Sequence, residues 1–265
     1  MKILFIGDIV GKPGRKTVRE LLPGLKRELG CEAVIANGEN SSGGLGLTPG
    51  VFTELLDTGV DLVTSGNHIW KRKEIYPLLD DPRLLRPANY PDPAPGTGCG
   101  VLETSAGVRV GVLNLMGRTF LEPGTDCPFR TADRLLENLA GTRIIIVDFH
   151  AEATSEKLAM GLYLDGRVSA VIGTHTHIQT SDCRVLPGGT AYITDAGMTG
   201  SNSGIIGAEK EEILKKFLTG IPFRFKVAKG EERLEGAVIE VDESTGKASE
   251  IISVRVGRGS GRGEK

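Results

Sequence analysis

One repeated pattern constrains the fold of this 265-residue chain more than any other feature. Short apolar runs rich in Val and Ile end in glycine and polar residues, and amphipathic segments separate one run from the next. Runs of about four to eight such residues are typical of buried strands, and apolar residues at helical spacing are typical of amphipathic helices. Strands that alternate with helices before residue 200 predict an α/β layered domain.

Helices are predicted where apolar periodicity is bounded by proline, glycine or hydroxyl residues, and Pro23 is predicted to kink the first helix or divide it in two. The predicted helices are 13–29, 48–57, 70–79, 131–139, 154–164 and 208–218. The predicted strands are 3–6, 33–36, 62–64, 108–115, 144–147, 170–172 and 189–193, followed by alternating strands over 223–256 with a turn near 244–246. The Pro-, Gly- and Asp-rich residues 82–99 predict a long surface loop. One domain is predicted over residues 1–256, and the Gly-rich residues 257–265 are predicted to be disordered.

Composition argues against several classes of protein. A net charge of −2 gives no reason to expect stable binding of nucleic acid or of an anionic membrane. The N-terminal apolar run is too short for a signal peptide, and no stretch approaches the length of a transmembrane helix. The four cysteines lie far apart without a C-x-x-C motif, which favours reduced thiols. A cytoplasmic protein without a membrane partner is therefore predicted, and its oligomeric state is left open, a homo-oligomer included.

All four histidines lie at or closely after predicted strands: His68, His150, His175 and His177. Histidine is the commonest metal ligand and transfers protons near neutral pH. Ligands of open α/β sheets bind at the carboxyl ends of the strands, so this placement predicts one polar site. Residues i and i+2 of a strand face opposite sides, so His175 and His177 reach one site only if a loop begins near Gly173.

Carboxylates and amides follow the same strands: Asp8 after the first, Glu39 and Asn40 after the second, and Asn67 after the third. Mixed oxygen and imidazole ligands suit Mn, Fe, Zn or Ni rather than Ca. The candidates outnumber what one ion needs, and two ions about 3.5–4 Å apart, bridged by a carboxylate and a hydroxide, would use them. Phosphate esters are then the natural substrates, because both ions would neutralise charge on the phosphoryl oxygens.

The neighbours Asn67 and His68 are predicted to divide two tasks. If Asn67 binds metal through its side-chain oxygen, His68 is free to donate a proton to the leaving alkoxide. A general acid of this kind contributes about 10²–10⁴ in rate. A substrate contact is the alternative role for His68.

Other polar residues near the strand ends have structural interpretations. Asp148 alternates away from His150 in the strand, which predicts a supporting or structural role. Helix capping accounts for the acidic residues and the lysine at the start of the 154–164 helix, and it is favoured over catalysis for Asp195.

The order of these motifs resembles the calcineurin-like metallophosphoesterase superfamily, whose blocks are G-D-x-H, G-D, G-N-H, a later H, and G-H-x-H. Here they stand as Gly7-Asp8-Ile9-Val10, Gly38-Glu39-Asn40, Gly66-Asn67-His68, His150 and Gly173-Thr174-His175-Thr176-His177. Val10 replaces the first histidine, Glu39 replaces the bridging aspartate, and Thr174 is inserted in the last block. The YmdB-like branch of the superfamily shares these departures, and the chain is similar to it over nearly its whole length.

This resemblance implies a fold, a reaction and a role for each residue. The fold is a sandwich of two mixed β-sheets flanked by helices. Asp8, Asn40 and His177 would hold one ion, Asn67, His150 and His175 the other, with Glu39 bridging the two and His68 as the acid. The branch is associated with two divalent or trivalent transition-metal ions, Fe or Mn, and with phosphodiesterase activity on 2′,3′-cyclic nucleotides such as 2′,3′-cAMP. The nucleophile would be a metal-bridging hydroxide.

Three other functions stay open at this point. The ligand set does not distinguish a phosphodiesterase from a phosphomonoesterase. A non-hydrolytic regulator would keep the metal site to bind a nucleotide or a protein partner. A mononuclear zinc hydrolase acting on amides would need only one ion per chain.

Overall fold

The computed structural model describes residues 1–121, 124–222 and 225–258. The strands are β1 (Lys2–Ile6), β2 (Asp8–Ile9), β3 (Ala33–Asn37), β4 (Leu62–Thr64), β5 (Cys99–Glu103), β6 (Arg109–Met116), β7 (Ile144–His150), β8 (Ala170–Thr174), β9 (Arg184–Val185), β10 (Ala191–Ile193), β11 (Met198–Ser201), β12 (Glu232–Val241) and β13 (Ala248–Gly257). The α-helices are α1 (Gly11–Leu29), α2 (Pro49–Asp57), α3 (Pro128–Asn138), α4 (Thr154–Tyr163) and α5 (Lys210–Thr219).

These strands form two mixed sheets. The seven-stranded sheet has the order β2-β11-β12-β1-β3-β4, with β13 paired to β12, and the six-stranded sheet has the order β5-β6-β7-β8-β10-β9. Strands β1, β3 and β4 are mutually parallel, as are β6, β7, β8 and β10. Parallel strands put their carboxyl ends at one edge of each sheet, which fixes where polar residues after the strands gather.

The two sheets pack face to face and the helices cover their outer faces. Ile3 and Phe5 of β1 lie in the cluster between the sheets, together with Ile146 of β7. Leu4 and Ile6 point the opposite way into a second cluster with the apolar faces of α1 and α2. A third cluster packs α3 and α4 on the outer face of the six-stranded sheet. This arrangement confirms the predicted sandwich of two mixed sheets flanked by helices.

Two helices differ from the prediction. The first helix continues through Pro23 without division, and the alternative of a kink at Pro23 stays a prediction. Pro23 is exposed, so the carbonyl that loses its N–H partner there faces solvent. The predicted helix over 70–79 is instead two 3₁₀ helices, Ile69–Lys71 and Lys73–Leu78, because Arg72 between them is extended and Pro77 removes a donor.

The end of the chain also differs from the prediction. The first strand within 223–256 begins at Glu232, preceded by a single antiparallel bridge between Val227 and Ala208, and residues 223 and 224 lie outside the described part. Strand β13 includes Gly257, and Arg258 forms ion pairs with Glu20 and Glu232, so the predicted disordered segment starts too early. Residues 259–265 lie outside the described part, and the prediction of one domain over 1–256 stays a prediction. No helix among the described residues has the length and apolar character needed to cross a membrane.

Candidate metal centre

All eight predicted site residues lie at the edge where the parallel strands of both sheets end. Asp8 begins β2, Glu39 and Asn40 follow β3, and Asn67 and His68 follow β4, so the seven-stranded sheet supplies the four predicted oxygen ligands. His150 ends β7, and His175 and His177 follow β8, so the six-stranded sheet supplies the three candidate imidazole ligands. The structure brings all eight together.

Glu39 lies at the centre of the group, with a side chain only 1% exposed. Its Oε1 atom is 3.2 Å from His68 Nδ1 and 3.3 Å from His150 Nε2. The same oxygen accepts a hydrogen bond from Asn40 Nδ2 at 3.2 Å. Its other oxygen accepts the backbone N–H of His68 at 2.9 Å, which orients the carboxylate.

One set of candidate ligand atoms surrounds His150 Nε2. His175 Nδ1 lies 3.0 Å from it and Asn67 Oδ1 lies 3.2 Å from it. Glu39, His150 and His175 each offer an atom within 4.8 Å of the others. Adjacent ligands on one ion with bonds of about 2.0–2.2 Å lie about 3 Å apart, so these spacings fit a transition metal.

A second set lies on the other side of Glu39. Asn40 Nδ2 is 3.2 Å from His177 Nε2, and His177 Nε2 is 3.8 Å from Asp8 Oδ1. Asp8 is fully buried, and its Oδ1 atom has no hydrogen-bond partner among the described residues. A buried carboxylate oxygen without a donor is costly, and a cation in this position would satisfy it.

Glycine is required at position 66 for the two sets to come this close. A Cβ atom there would collide with the imidazole of His150 and with Glu39 Oε2. The space beside the ligands is therefore kept clear by the absence of a side chain.

The charges of the cluster shift the pKa values of its members strongly. Burial would raise the pKa of Glu39, but the charges and hydrogen bonds of His150 and His68 hold it well below its usual range. Burial would lower the pKa of His150, but Glu39 and Asp8 raise it to about 9. Burial and the charge of His150 lower the pKa of His175 to about 3. Burial also raises the pKa of Asp8. Metal binding requires a neutral imidazole, so an ion bound here would displace any proton on His150 Nε2.

Residues behind the ligands fix their orientation. His150 Nδ1 is 3.0 Å from Thr174 Oγ1, which donates to Asp148 at 2.7 Å. Asp148 also accepts hydrogen bonds from Thr64 Oγ1 at 2.5 Å and Asn37 Nδ2 at 3.0 Å, so one carboxylate connects the two sheets. These contacts agree with the supporting role predicted for Asp148. Partners of this kind orient a ligating imidazole and raise its basicity.

Sequence reasoning missed two other supporting contacts. Glu152 Oε2 lies 3.0 Å from His175 Nε2, although capping was predicted for this acid. Asp195 was predicted to cap a helix, but strand β11 follows it and its carboxylate pairs with Lys157 at 2.7 Å. The only sequence signal was the position of each acid beside a strand end, which does not identify its partner.

Replacing Asp148 with alanine is expected to lower the free energy of unfolding by about 3 kcal/mol or more. Three buried donors, on Asn37, Thr64 and Thr174, would lose their acceptor, at about 1–3 kcal/mol each. Urea unfolding in the presence of a chelator measures the loss without a contribution from metal. Asp81→Ala removes a half-buried surface carboxylate that pairs with the exposed Arg83 side chain and should cost no more than about 1 kcal/mol. Equal losses in the two variants would contradict the role given to Asp148.

Comparison with known proteins decides the family. The model of the family described as YmdB-like protein matches residues 4–254. The chain belongs to the YmdB-like family. A Bacillus subtilis (strain 168) protein named 2′,3′-cyclic-nucleotide 2′-phosphodiesterase is 53% identical over 258 residues, which cover 97% of each chain.

Two solved structures share the YmdB-like fold. A hypothetical protein from Thermus thermophilus matches with a TM-score of 0.91 and 44% identity, over 97% of this chain and 99% of its own. A structure described as a novel phosphatase from Mycoplasma pneumoniae matches with a TM-score of 0.92 and 35% identity, over 97% and 93% of the two chains. The resemblance inferred from the motifs is confirmed, and the YmdB-like match includes every predicted site residue.

Proposed function

We propose that this YmdB-like chain is a metal-dependent phosphodiesterase that hydrolyses 2′,3′-cyclic nucleotides. The observation that carries the proposal is the central position of Glu39, whose Oε1 atom lies within 3.3 Å of groups from both proposed ligand sets. The activity named for the Bacillus subtilis relative supports the choice of substrate.

We further propose two transition-metal ions per chain, with Fe or Mn favoured. One ion would be held by Asn67, His150 and His175. The other ion would be held by Asp8, Asn40 and His177. Glu39 would contact both ions. The donor set, the spacing about His150 Nε2 and the unpartnered Asp8 Oδ1 support this assignment. Two such ions, when bound, activate water and neutralise charge on phosphoryl oxygens.

The orientation of the Asn40 amide affects His68 in this proposal. The Nδ2 atom of Asn40 faces Glu39 and His177, while its Oδ1 atom lies 2.7 Å from His68 Nδ1. Ligation through oxygen requires the amide to turn away from His68, which leaves Glu39 Oε1, 3.2 Å from His68 Nδ1, to accept the Nδ1–H hydrogen bond. His68 acts as an acid in its imidazolium form, which keeps Nδ1–H on Glu39 and carries the proton to be transferred on Nε2.

His68 Nε2 is then the atom that protonates the leaving group. The His68 side chain is 23% exposed, and no described residue bonds its Nε2 atom. Hydrolysis adds water to phosphorus and breaks one phosphorus–oxygen bond of the cyclic ester. The departing sugar oxygen takes its proton from His68 Nε2, and the water proton passes to solvent or back to His68.

A reducing compartment, such as the cytoplasm, is proposed as the place of action. Cys31, Cys99, Cys127 and Cys183 are all free thiols. Disulfides are rare in such compartments, which agrees with this use of cysteine.

The direct test combines elemental analysis with turnover. Protein purified without added metal should carry close to two transition-metal ions per chain and should hydrolyse 2′,3′-cAMP and bis-p-nitrophenyl phosphate. Chelator treatment should remove both the metal and the turnover, and added Mn²⁺ should restore them. A 3′-phosphomonoester serves as the comparison substrate and should react more slowly.

Other outcomes would contradict the proposal. Tight binding of nucleotide without turnover would favour the non-hydrolytic regulator. One zinc ion per chain with turnover of amides would favour the mononuclear hydrolase, and preference for the monoester would make the enzyme a phosphomonoesterase.

A further inference from the structure

The turn that carries His175 and His177 has a strained backbone. Their φ angles are 99° and 65°, in the left-handed region that favours glycine. Residues held in this region persist only where surrounding contacts impose the conformation. Both histidines are proposed metal ligands, so the contacts that impose this backbone conformation also position the two imidazoles.

A buried carboxylate bonds twice to the residue between the two histidines. Asp195 Oδ2 accepts the backbone N–H of Thr176 at 3.1 Å and its Oγ1–H at 2.7 Å. Asp195 Oδ1 accepts the backbone N–H of Gly197 at 2.9 Å. Asp195 is fully buried, so both oxygens are committed to these contacts.

Lys157 supplies the opposite charge. Its Nζ atom lies 2.7 Å from Asp195 Oδ2, and the two side chains are 1% and 0% exposed. Lys157 belongs to α4 and Asp195 follows β10, so the pair connects a helix, a strand end and the histidine turn. A buried ion pair is favourable only when further hydrogen bonds satisfy it, and the Thr176 bonds do so here.

The segment that follows Asp195 also holds a ligand from the other sheet. Ala196 N–H donates to Gly173 O at 2.8 Å, at the start of the histidine motif. Asp8 N–H donates to Gly197 O at 3.1 Å. Displacement of Asp195 would therefore disturb the backbone beside Asp8 as well as the histidine turn.

We propose that the Lys157–Asp195 pair is a positioning device for the metal centre, acting through Thr176 on His175 and His177. These histidines belong to different proposed ions, so one buried pair would set the geometry of both. The inference rests on the proposed metal centre. The proposed role of the pair is more than stabilisation of the fold, because Asp195 bonds directly to Thr176, the residue between the two proposed ligands.

Thr176→Val tests the proposal because it removes the hydroxyl without leaving a buried charge unpaired. Its affinity for Mn²⁺, measured by chelator competition, should fall about 10–100-fold at both sites. Thr176→Ser keeps the hydroxyl and should stay within about threefold of the unaltered protein. The matched control is Thr190→Val, which removes a buried hydroxyl bonded to Val168 O at 2.6 Å. Thr190 directly precedes the start of β10, whereas Asp195 follows its end. It should lower Tm and leave Mn²⁺ affinity unchanged.

Hydrogen exchange in chelator-treated protein gives a readout that needs no metal. Residues 174–180 should exchange faster in Thr176→Val than in Thr190→Val, and Lys157→Met should have the same local effect. If the unaltered protein bound no Mn²⁺, the proposed metal centre would be wrong. The hydrogen-exchange rates of residues 174–180 would then be the test of whether the ion pair positions the histidine turn. Unaltered Mn²⁺ affinity and unaltered exchange in Thr176→Val would overturn the inference.

Discussion

Glu39→Gln is expected to lose both metal ions and to lower turnover by a factor on the order of 10³ or more. Among the described residues, Glu39 has the one carboxylate that lies against both proposed ligand sets, and the substitution removes it. Stabilisation of transition-state charge by metal is worth several kcal/mol, and each 1.4 kcal/mol is about tenfold in rate. Elemental analysis and turnover of 2′,3′-cAMP, measured on the same preparation, check both parts of the expectation.

Glu235→Gln is the matched control, since Glu235 is also a glutamate with 1% exposure. Its carboxylate lies beside Arg233 and Arg255 and accepts the backbone N–H of Met198, in the peptide unit whose carbonyl accepts from Asp8 N–H. Glutamine keeps an oxygen that accepts from Met198, so the substitution removes only the charge paired with the two arginines and should affect stability rather than metal content. Equal metal loss in the two variants would mean that any buried glutamate in this fold maintains the site. Full metal content in Glu39→Gln would remove Glu39 from its bridging role.

His68→Ala is expected to keep its metal while turnover of 2′,3′-cAMP falls by about 10²–10⁴. The backbone N–H of His68, not its imidazole, orients Glu39 Oε2, so this contact survives truncation of the side chain. Loss of the acid should matter most for a poor leaving group such as a sugar alkoxide. Turnover of bis-p-nitrophenyl phosphate should fall much less, because a nitrophenolate leaves without protonation.

The ratio between the two substrates separates an acid from a structural residue. An equal fall for both substrates would assign His68 to substrate binding or to local structure. Loss of metal would show that His68 is a ligand, and that the division of tasks between Asn67 and His68 is wrong. Added imidazole should restore part of the turnover only if a proton donor is missing.

The position of the site could be predicted from sequence because it depends on local patterns. A buried strand is visible as a β-branched run, and the polar residue that follows it is fixed by chain continuity. Parallel pairing then gathers those residues at one edge without any knowledge of which strands are neighbours. The loop required for His175 and His177 was likewise implied by the two-residue period of a strand, and both residues have left-handed backbones.

The contacts behind the ligands could not be predicted, because they join residues distant in sequence. Lys157 and Asp195 are separated by 38 positions, and Asn37 and Asp148 by 111. Each of these residues has a local explanation, such as a cap or a turn, that single-sequence reasoning favours. Strand β5 is absent from the predicted strands, and a division of the first helix at Pro23 was allowed, for a related reason. The pairing of β5 with β6 and the exposure of Pro23 both depend on the tertiary surroundings.

The supply of oxygen ligands by one sheet and imidazole ligands by the other has a consequence for assembly of the protein. Neither sheet alone contains all the proposed ligands of either ion, so a chain in which only one sheet has formed would bind the ions weakly. Cations bound at the proposed sites would therefore cross-link the two sheets and raise the free energy of unfolding.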